Sequence, residues 1–473
     1  MVFIEFYLNH WVICWILVKT ILKSDPMLPL IRKTILTIAV SACLPVIANT
    51  TTTLNEIEHN IVTQTELLLP QTLKELEQAV NINSGSMNFA GVKQVGALAK
   101  LQLEEVGFKV EWLDGRYFNR AGHIVATHES DNPNAPKIVM IGHLDTVFEA
   151  EDDFQKFVRL NEQQAAGPGV ADMKGGNAII IAAMRILNKL DLLKDLSIKI
   201  VLTGDEESSG EPLTDSKQAI VDAAIWADIA LGFENGDNDI NTAMAARRGY
   251  TGWELAIKAK PAHSSRIFNP EIGYGAIFEA ARILDAFREQ LSSEENLTFN
   301  PGMIVGGTRI DYQKEQSSGT AFGKSNVIAQ EVKVIGDLRA LSVLQVEQAM
   351  AVMQKIVAAK AEHSQAELTF ETGYPPMALT KGNLALLAIY DEVSRDLGYN
   401  KVVAANPRQA GAADISFAAN HVEMALDGLG LMGQGAHTKD EIADLTSLKK
   451  NIEKTTILLY RLAQAANVKT NRE

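Results

Sequence analysis

Five short stretches of this chain carry the residue types of metal-assisted hydrolysis. The densest is Thr203-Gly204-Asp205-Glu206-Glu207-Ser208-Ser209-Gly210, where three acids follow the β-type run 198–202. Adjacent carboxylates repel one another unless a cation sits nearby or one of them holds a proton. Alone, such a cluster reads as a solvated acidic turn. The other reading is a metal site in which one Glu is a ligand and its neighbour handles protons. Four further stretches favour the second reading: His143-Leu144-Asp145, Asp172 within the glycine-rich 167–176, Glu234 after the run 227–233, and His437 in the polar 433–441. Imidazole and carboxylate are the right mixture for zinc. In the H-x-D pair, Asp145 can accept the N–H of a histidine and fix its tautomer. Glu206 and Glu207, adjacent on a turn, can point in different directions and divide the tasks of ligand and base.

These residues need a frame that brings distant segments together. The run 137–141 is nearly continuous in apolar residues and suits a buried central strand. The glycine-rich 167–176 leads into a helix over 177–190, and strands follow at 198–202 and 227–233. Strands alternating with helices imply an α/β fold with a mostly parallel sheet. In such a sheet the carboxyl ends of the strands line one crevice, and His143-x-Asp145, Asp172, Glu206-Glu207 and Glu234 each lie just beyond a strand or at a strand-to-helix loop, while His437 stands in a flexible, polar setting. Apolar spacing predicts further helices over 61–81, 92–106, 384–397 and 448–466, and the polar 49–60 reads as a disordered start. Between 247 and 373 the pattern changes to β-α-β-β-α-β, the order of an inserted ferredoxin-like domain of about 120 residues. The expected organisation is a leader over 1–48, a first catalytic part over 49–246, the insert over 247–373 and a second catalytic part over 374–473.

The 473 residues exceed one typical core. The net charge of −14 argues against nucleic acid as a partner, since phosphate binding needs a basic surface. Arg32-Lys33 precede the apolar run 34–48, which reads as a signal segment starting at Met27 and implies export to a periplasm or beyond. A lipid-attachment role for Cys43 fits less well, and the apolar 11–22 is interrupted by Lys19. Both cysteines, Cys14 and Cys43, lie in this leader. The exported chain would then have no disulfide, no thiolate nucleophile and no membrane span.

The motifs G-H-L-D-T-V, G-P-G-V-A-D-M-K-G-G, G-D-E-E-S-S-G, F-E-N-G and G-A-H-T-K-D-E occur in this order. In combination the chain resembles the two-zinc metallopeptidase family of carboxypeptidase G, acetylornithine deacetylase, succinyl-diaminopimelate desuccinylase and aminoacylase. The resemblance runs from about residue 60 to the end and is greatest to the glutamate carboxypeptidase branch. It implies that Asp172 bridges two zinc ions, with His143 and Glu234 completing one site and Glu207 and His437 the other. Cobalt or manganese would suit the same donors. It further implies that Glu206 is the general base, that Asp145 orients His143, and that the Asp172-Met173 peptide is cis.

In the insert, Pro261-Ala262-His263-Ser264-Ser265 resembles a lid histidine that stabilises the oxyanion across a homodimer. Asn326 and Arg339 resemble positions that hold a substrate's terminal carboxylate. Plainer readings are a polar loop histidine and, for Arg339, a surface ion pair. The loop Gly411-Ala412-Ala413-Asp414 departs from the usual pattern, and Arg247-Arg248 and Asp205 receive no role. The activity so implied is zinc-dependent release of a C-terminal amino acid, such as glutamate, from a small peptide or N-acyl amino acid. Alternatives are an N-acyl amino acid deacylase or dipeptidase of the same family, and a non-catalytic binding protein on the same scaffold.

Overall fold

Six strands meet in one sheet, whose central members are apolar runs that are almost wholly buried. They are β1 (Lys109–Asp114), β2 (Gly122–His128), β3 (Lys137–His143), β4 (Ser197–Thr203), β5 (Ile229–Gly232) and the short Met424–Leu426. Their spatial order is β1-β2-β4-β3-β5 followed by Met424–Leu426. The four strands from β4 onward run parallel, and β1 and β2 add an antiparallel edge. The computed structural model describes residues 54–470 apart from 360 and 410. The leader, its signal and lipoprotein readings and both cysteines therefore lie outside the described residues.

Strand β3 is buried along its length except at Lys137, as its continuous apolar run predicts. The strand period of two splits its side chains between two cores. Ile138 and Met140 pack with Ile180, Leu187 and Leu458, while Val139 and Ile141 pack with Ile220 and Ala224. The first core is closed by α1 (Glu56–Val80), α2 (Phe89–Glu104), α3 (Gly175–Lys189) and the terminal helix Leu445–Thr470; the second is closed by α4 (Leu213–Trp226).

Register then fixes the site. His143 pairs with Thr203, so the H-x-D and D-E-E loops leave adjacent strands side by side. Ile141 pairs with Gly232, which puts Glu234 just beyond the same edge. Gly176, in the first turn of α3, is required there: a Cβ would stand 2.1 Å from the carbonyl oxygen of Phe233.

The polar start differs from expectation. Helix α1 already begins at Glu56, because Asn55 and Glu58 form a reciprocal capping box. Glu58 is also anchored by Arg461 of the terminal helix at 2.7 Å.

Residues 251–370 build a second sheet. It contains β6 (Thr251–Ala259), α5 (Gly275–Leu291), β7 (Thr298–Gly307), β8 (Glu331–Arg339), α6 (Val343–Ala358) and β9 (Ser364–Phe370). The order is β7-β8-β6-β9, antiparallel throughout. Its own core includes Trp253 edge-to-face with Phe287 at 6.0 Å. A hairpin of Arg309–Gln313 and Ser318–Phe322, absent from the sequence expectation, extends between β7 and β8. Among the described residues no helix is long and apolar enough to cross a membrane.

Met140 tests this arrangement. Met140→Ala should cost about 2–5 kcal/mol in urea unfolding through lost burial and a residual cavity. Tyr117→Ala, at an 89% exposed position, should change stability by less than about 0.5 kcal/mol. Equal small effects at both positions would contradict the placement of β3 at the centre.

Candidate metal centre

Asp172 lies in the turn Val170–Lys174 that enters α3, after a cis Asp172-Met173 peptide bond. Its carboxylate faces a histidine on each side. His143 Nε2 is 3.3 Å from Asp172 Oδ1 and 3.5 Å from Glu234 Oε1. His437 Nε2 is 3.2 Å from Asp172 Oδ2 and 3.1 Å from Glu207 Oε2. The structure thus brings together all five residues expected as ligands, in two groups that share Asp172. Donors about 2.1 Å from a tetrahedral ion stand roughly 3.3 Å apart, so both groups have the spacing that a metal ion requires. Among the described residues, the donor atoms of His143, Asp172 and Glu207 also lie within 4.8 Å of one another.

The electrostatics ask for cations. Burial, then Asp172, pushes Glu234 well above the usual carboxylate range. Burial also raises Glu207, against the pull of His437. Burial works against a charged His143, but Asp145 and Asp172 outweigh it and raise the imidazole well above its usual value. Hydrogen bonds to Asp172 and Glu207 lift His437 to about 11. Asp172 is lowered, because the two histidines overcome its burial. The gaps between these imidazoles and carboxylates are the places that a metal ion would take.

Three buried carboxylates hold the frame. Asp145 Oδ1 accepts the amide of Glu206 at 3.0 Å, and Oδ2 accepts the amide of Glu207 at 3.1 Å and the Ser86 hydroxyl at 2.6 Å. The side chain was expected to orient His143. The nearer acceptor for His143 Nδ1 is the backbone carbonyl of Asp145, at 3.0 Å against 3.4 Å for the carboxylate. Glu441 accepts the amides of Gly169 at 2.8 Å, Ala171 at 2.9 Å and Asp172 at 3.1 Å, which fixes the bridging turn. Asp427 Oδ1 accepts the amide of Glu234 at 3.3 Å.

Sequence reasoning missed Glu441 and Asp427. Glu441 sits four residues after His437 in a motif already singled out. Asp427 follows Met424–Leu426, another apolar run ending in an acid, but one only three residues long.

Glu206 is half-buried, and its carboxylate makes no hydrogen bond among the described residues. Burial, then Asp414, pushes it well above the usual range. Asp205, which had no assigned role, is fully buried: it accepts from Gly210 N at 2.8 Å, Ser216 Oγ at 2.5 Å and Lys217 Nζ at 3.0 Å. His123 is structural, accepting from Gly204 N at 3.1 Å and donating to Ser216 O at 2.8 Å.

Three expected residues stay apart from the cluster. His263 is exposed and caps the turn Ser264–Arg266, with Nδ1 2.9 Å from Ser265 Oγ. The carbonyl of Asn326 accepts from Ser264 N at 2.9 Å. Arg339 pairs with Asp337 at 2.8 Å and lies over the Tyr250 ring. Among the described residues no hydrogen bond or ion pair joins them to the ligand set.

Residues 139–464 match the family model described as Peptidase family M20/M25/M40. The chain belongs to this family. It is accordingly a hydrolase of the metallopeptidase and amidohydrolase kind, with the α/β fold of that family. Carboxypeptidase G2 of Pseudomonas sp. (strain RS-16) is 24% identical over 399 residues, covering 83% of this chain and 89% of the relative. Succinyl-diaminopimelate desuccinylase of Magnetococcus marinus is 24% identical over 376 residues, covering 76% and 90%. Among solved structures, aminopeptidase PepT of Bacillus cereus has a TM-score of 0.68 at 18% identity, covering 84% of this chain and 99% of that one. YXEP of Bacillus subtilis, described as a dinuclear metal-binding peptidase of the M20 family, has a TM-score of 0.58 at 16% identity, covering 84% and 99%.

Two outcomes follow for the M20 centre. Asp172→Asn should abolish binding of both metal ions and His437→Ala of one, measured by metal analysis after dialysis. Removing the metal should also make stability pH-sensitive. His437, raised from 6.5 to about 11, stabilises the metal-free fold below its unfolded value and loses that contribution as pH rises. Glu234, raised above 4.5, binds more protons folded than unfolded, so its sign is the same. Asp172 has the opposite sign, but its contribution is lost only as pH falls below 3.8. The Tm of chelator-treated protein should therefore fall between about pH 6.5 and 9 while that of metal-loaded protein changes less. A flat profile for the chelated protein would count against this assignment.

Proposed function

We propose that this chain is an exported zinc-dependent exopeptidase that releases a C-terminal amino acid, glutamate being the first candidate, from a small peptide or N-acyl amino acid. The observation that carries the reading is the free Glu206 carboxylate beside a two-sided donor set centred on Asp172. Two zinc ions held by His143, Asp172, Glu234, Glu207 and His437 would acidify a shared water and polarise the scissile carbonyl. Cobalt or manganese could serve the same donors. Glu206, whose carboxylate makes no hydrogen bond among the described residues, would take the proton from the attacking water and pass it to the leaving nitrogen. Asp145 holds the amides of Glu206 and Glu207, so base and ligand keep a fixed separation.

The inserted segment over 247–373 is read as the lid and dimerisation domain. Ile277, Phe278 and Ile304 stay exposed beside the edge strand β7, which supports a homodimer through this segment. In such a dimer His263 would serve the partner's site as an oxyanion donor, which fits its exposure and its lack of any hydrogen bond to the ligand set among the described residues. Asn326 and Arg339 would hold the substrate carboxylate. Signal-directed export rests on the leader alone. Similarity to a desuccinylase supports a second reading, an N-acyl amino acid deacylase or dipeptidase. A non-catalytic binding protein is disfavoured, since such a protein has no need to keep Glu206 free.

A screen of dipeptides and N-acyl amino acids for release of free amino acid should find turnover, greatest with a C-terminal glutamate. Glu206→Gln should retain two metal ions and lose about 10²–10⁴-fold in kcat. Full activity in that variant would remove the base assignment. Mixing Glu206→Gln subunits with inactive His263→Ala subunits should restore part of the activity if His263 acts across a dimer.

A further inference from the structure

The chain passes twice between the six-stranded sheet and the β7-β8-β6-β9 sheet, and each crossing carries a side chain that ends on the donor cluster's supporting loops. The outward crossing runs from Arg247 to Tyr250, the return from Gly373 to Met377. The two are paired: Arg247 N donates to Met377 O at 2.9 Å, Met377 N to Arg247 O at 3.0 Å, and Tyr250 N to Tyr374 O at 2.9 Å. They also touch closely, since a Cβ on Gly373 would stand 1.9 Å from Tyr250 O.

On the outward crossing, Arg247 is buried with Nε 2.6 Å from Asp427 Oδ2, and Nη1 donates to Gly411 O at 2.8 Å. The other oxygen of Asp427 accepts the Glu234 amide. On the return crossing, the Tyr374 hydroxyl is 3.3 Å from the Glu206 carbonyl, 3.3 Å from Asp414 Oδ1 and 2.8 Å from Ser209 Oγ. Asp414 also takes Lys217 Nζ at 3.0 Å and the Thr203 hydroxyl at 2.5 Å. Lys217 in turn bridges to Asp205. The loop 411–414 is therefore held by both crossings.

We infer that Tyr374 and Arg247 are positioning residues, which set the Glu206 and Glu234 backbones according to how the inserted segment is seated. The inference rests on reading Glu206 as base and Glu234 as metal donor. Neither residue touches reacting atoms. Each holds, directly or through one carboxylate, a main-chain group of the residue whose side chain does. A misplacement of about 1 Å at a reacting group can cost roughly 10²-fold in rate. The Tyr374 ring already packs on Phe417 with centroids 4.8 Å apart, so the hydroxyl is separable from the packing. Arg247 uses two nitrogens in different directions, a fork that lysine does not possess.

The variants are Tyr374→Phe and Arg247→Lys, made in the full chain and loaded with zinc. Tyr374→Phe should lower kcat about 10- to 100-fold with KM within about 3-fold, two metal ions bound and Tm unchanged. Arg247→Lys should release one of two ions to a competing chelator at about 10-fold lower chelator concentration. A purely structural role would instead lower Tm and leave kcat per folded, metal-loaded molecule intact. Wild-type kcat in Tyr374→Phe, with Glu206→Gln inactive, would overturn the positioning role and spare the proposed function. Unchanged release of both ions from Arg247→Lys would overturn the second half, and that readout needs no substrate.

Discussion

The site depends on one buried carboxylate, that of Asp145. It binds no metal in the proposed reading, yet its two oxygens accept the amides of Glu206 and Glu207 and a serine hydroxyl. Burying an anion is costly unless hydrogen bonds replace its hydration. Here the replacements are the N–H groups of the loop that carries the chemistry. The energy needed to bury Asp145 and the order of the D-E-E loop are one and the same interaction. Because Asp145 leaves β3 and the acids leave β4, it also ties together the ends of two neighbouring strands.

The same device recurs at two of the other proposed ligands. Glu441 binds three amides of the Asp172 turn, and Asp427 binds the amide of Glu234. The loops of Glu207, Asp172 and Glu234 are each held by a carboxylate that reaches the backbone, so in the proposed reading these ligand side chains stay free for metal. Their crowding raises Glu207 and Glu234 by burial. Such a cluster is tolerable to the fold because cations or protons can neutralise it.

Much of this was legible in the sequence because the rule is local: an apolar run, then an acid or a histidine. Three stretches obeyed it, those of His143, Glu206-Glu207 and Glu234, and parallel pairing of β3, β4 and β5 carried them to one edge; Asp172 and His437 were legible instead from a glycine-rich and a polar loop. Asp427 obeys it too, but a three-residue strand leaves too short a run to read. Asp205 shows the opposite limit. It stands in the most conspicuous motif, but its partner Lys217 is one lysine on a helix and Asp414 lies 211 residues from Thr203, the residue it binds. Nothing local announces that these charges are buried together. The start of α1 was misread because polar composition outweighed the capping signal of Asn55 and Glu58. The hairpin at 309–322 is exposed along its second strand, with no apolar periodicity to betray it.

Glu441 also has a bearing on synthesis. Its contact with Gly169 spans 272 residues. A ribosome adding about 5–20 residues per second needs tens of seconds or less to travel that far. Through that interval the first half of the chain has Asp172, Glu207 and Glu234 but neither His437 nor the clamp that orients the bridging turn. In the proposed reading the donor set is complete only once His437 and Glu441 have been made, after nearly all of the catalytic scaffold.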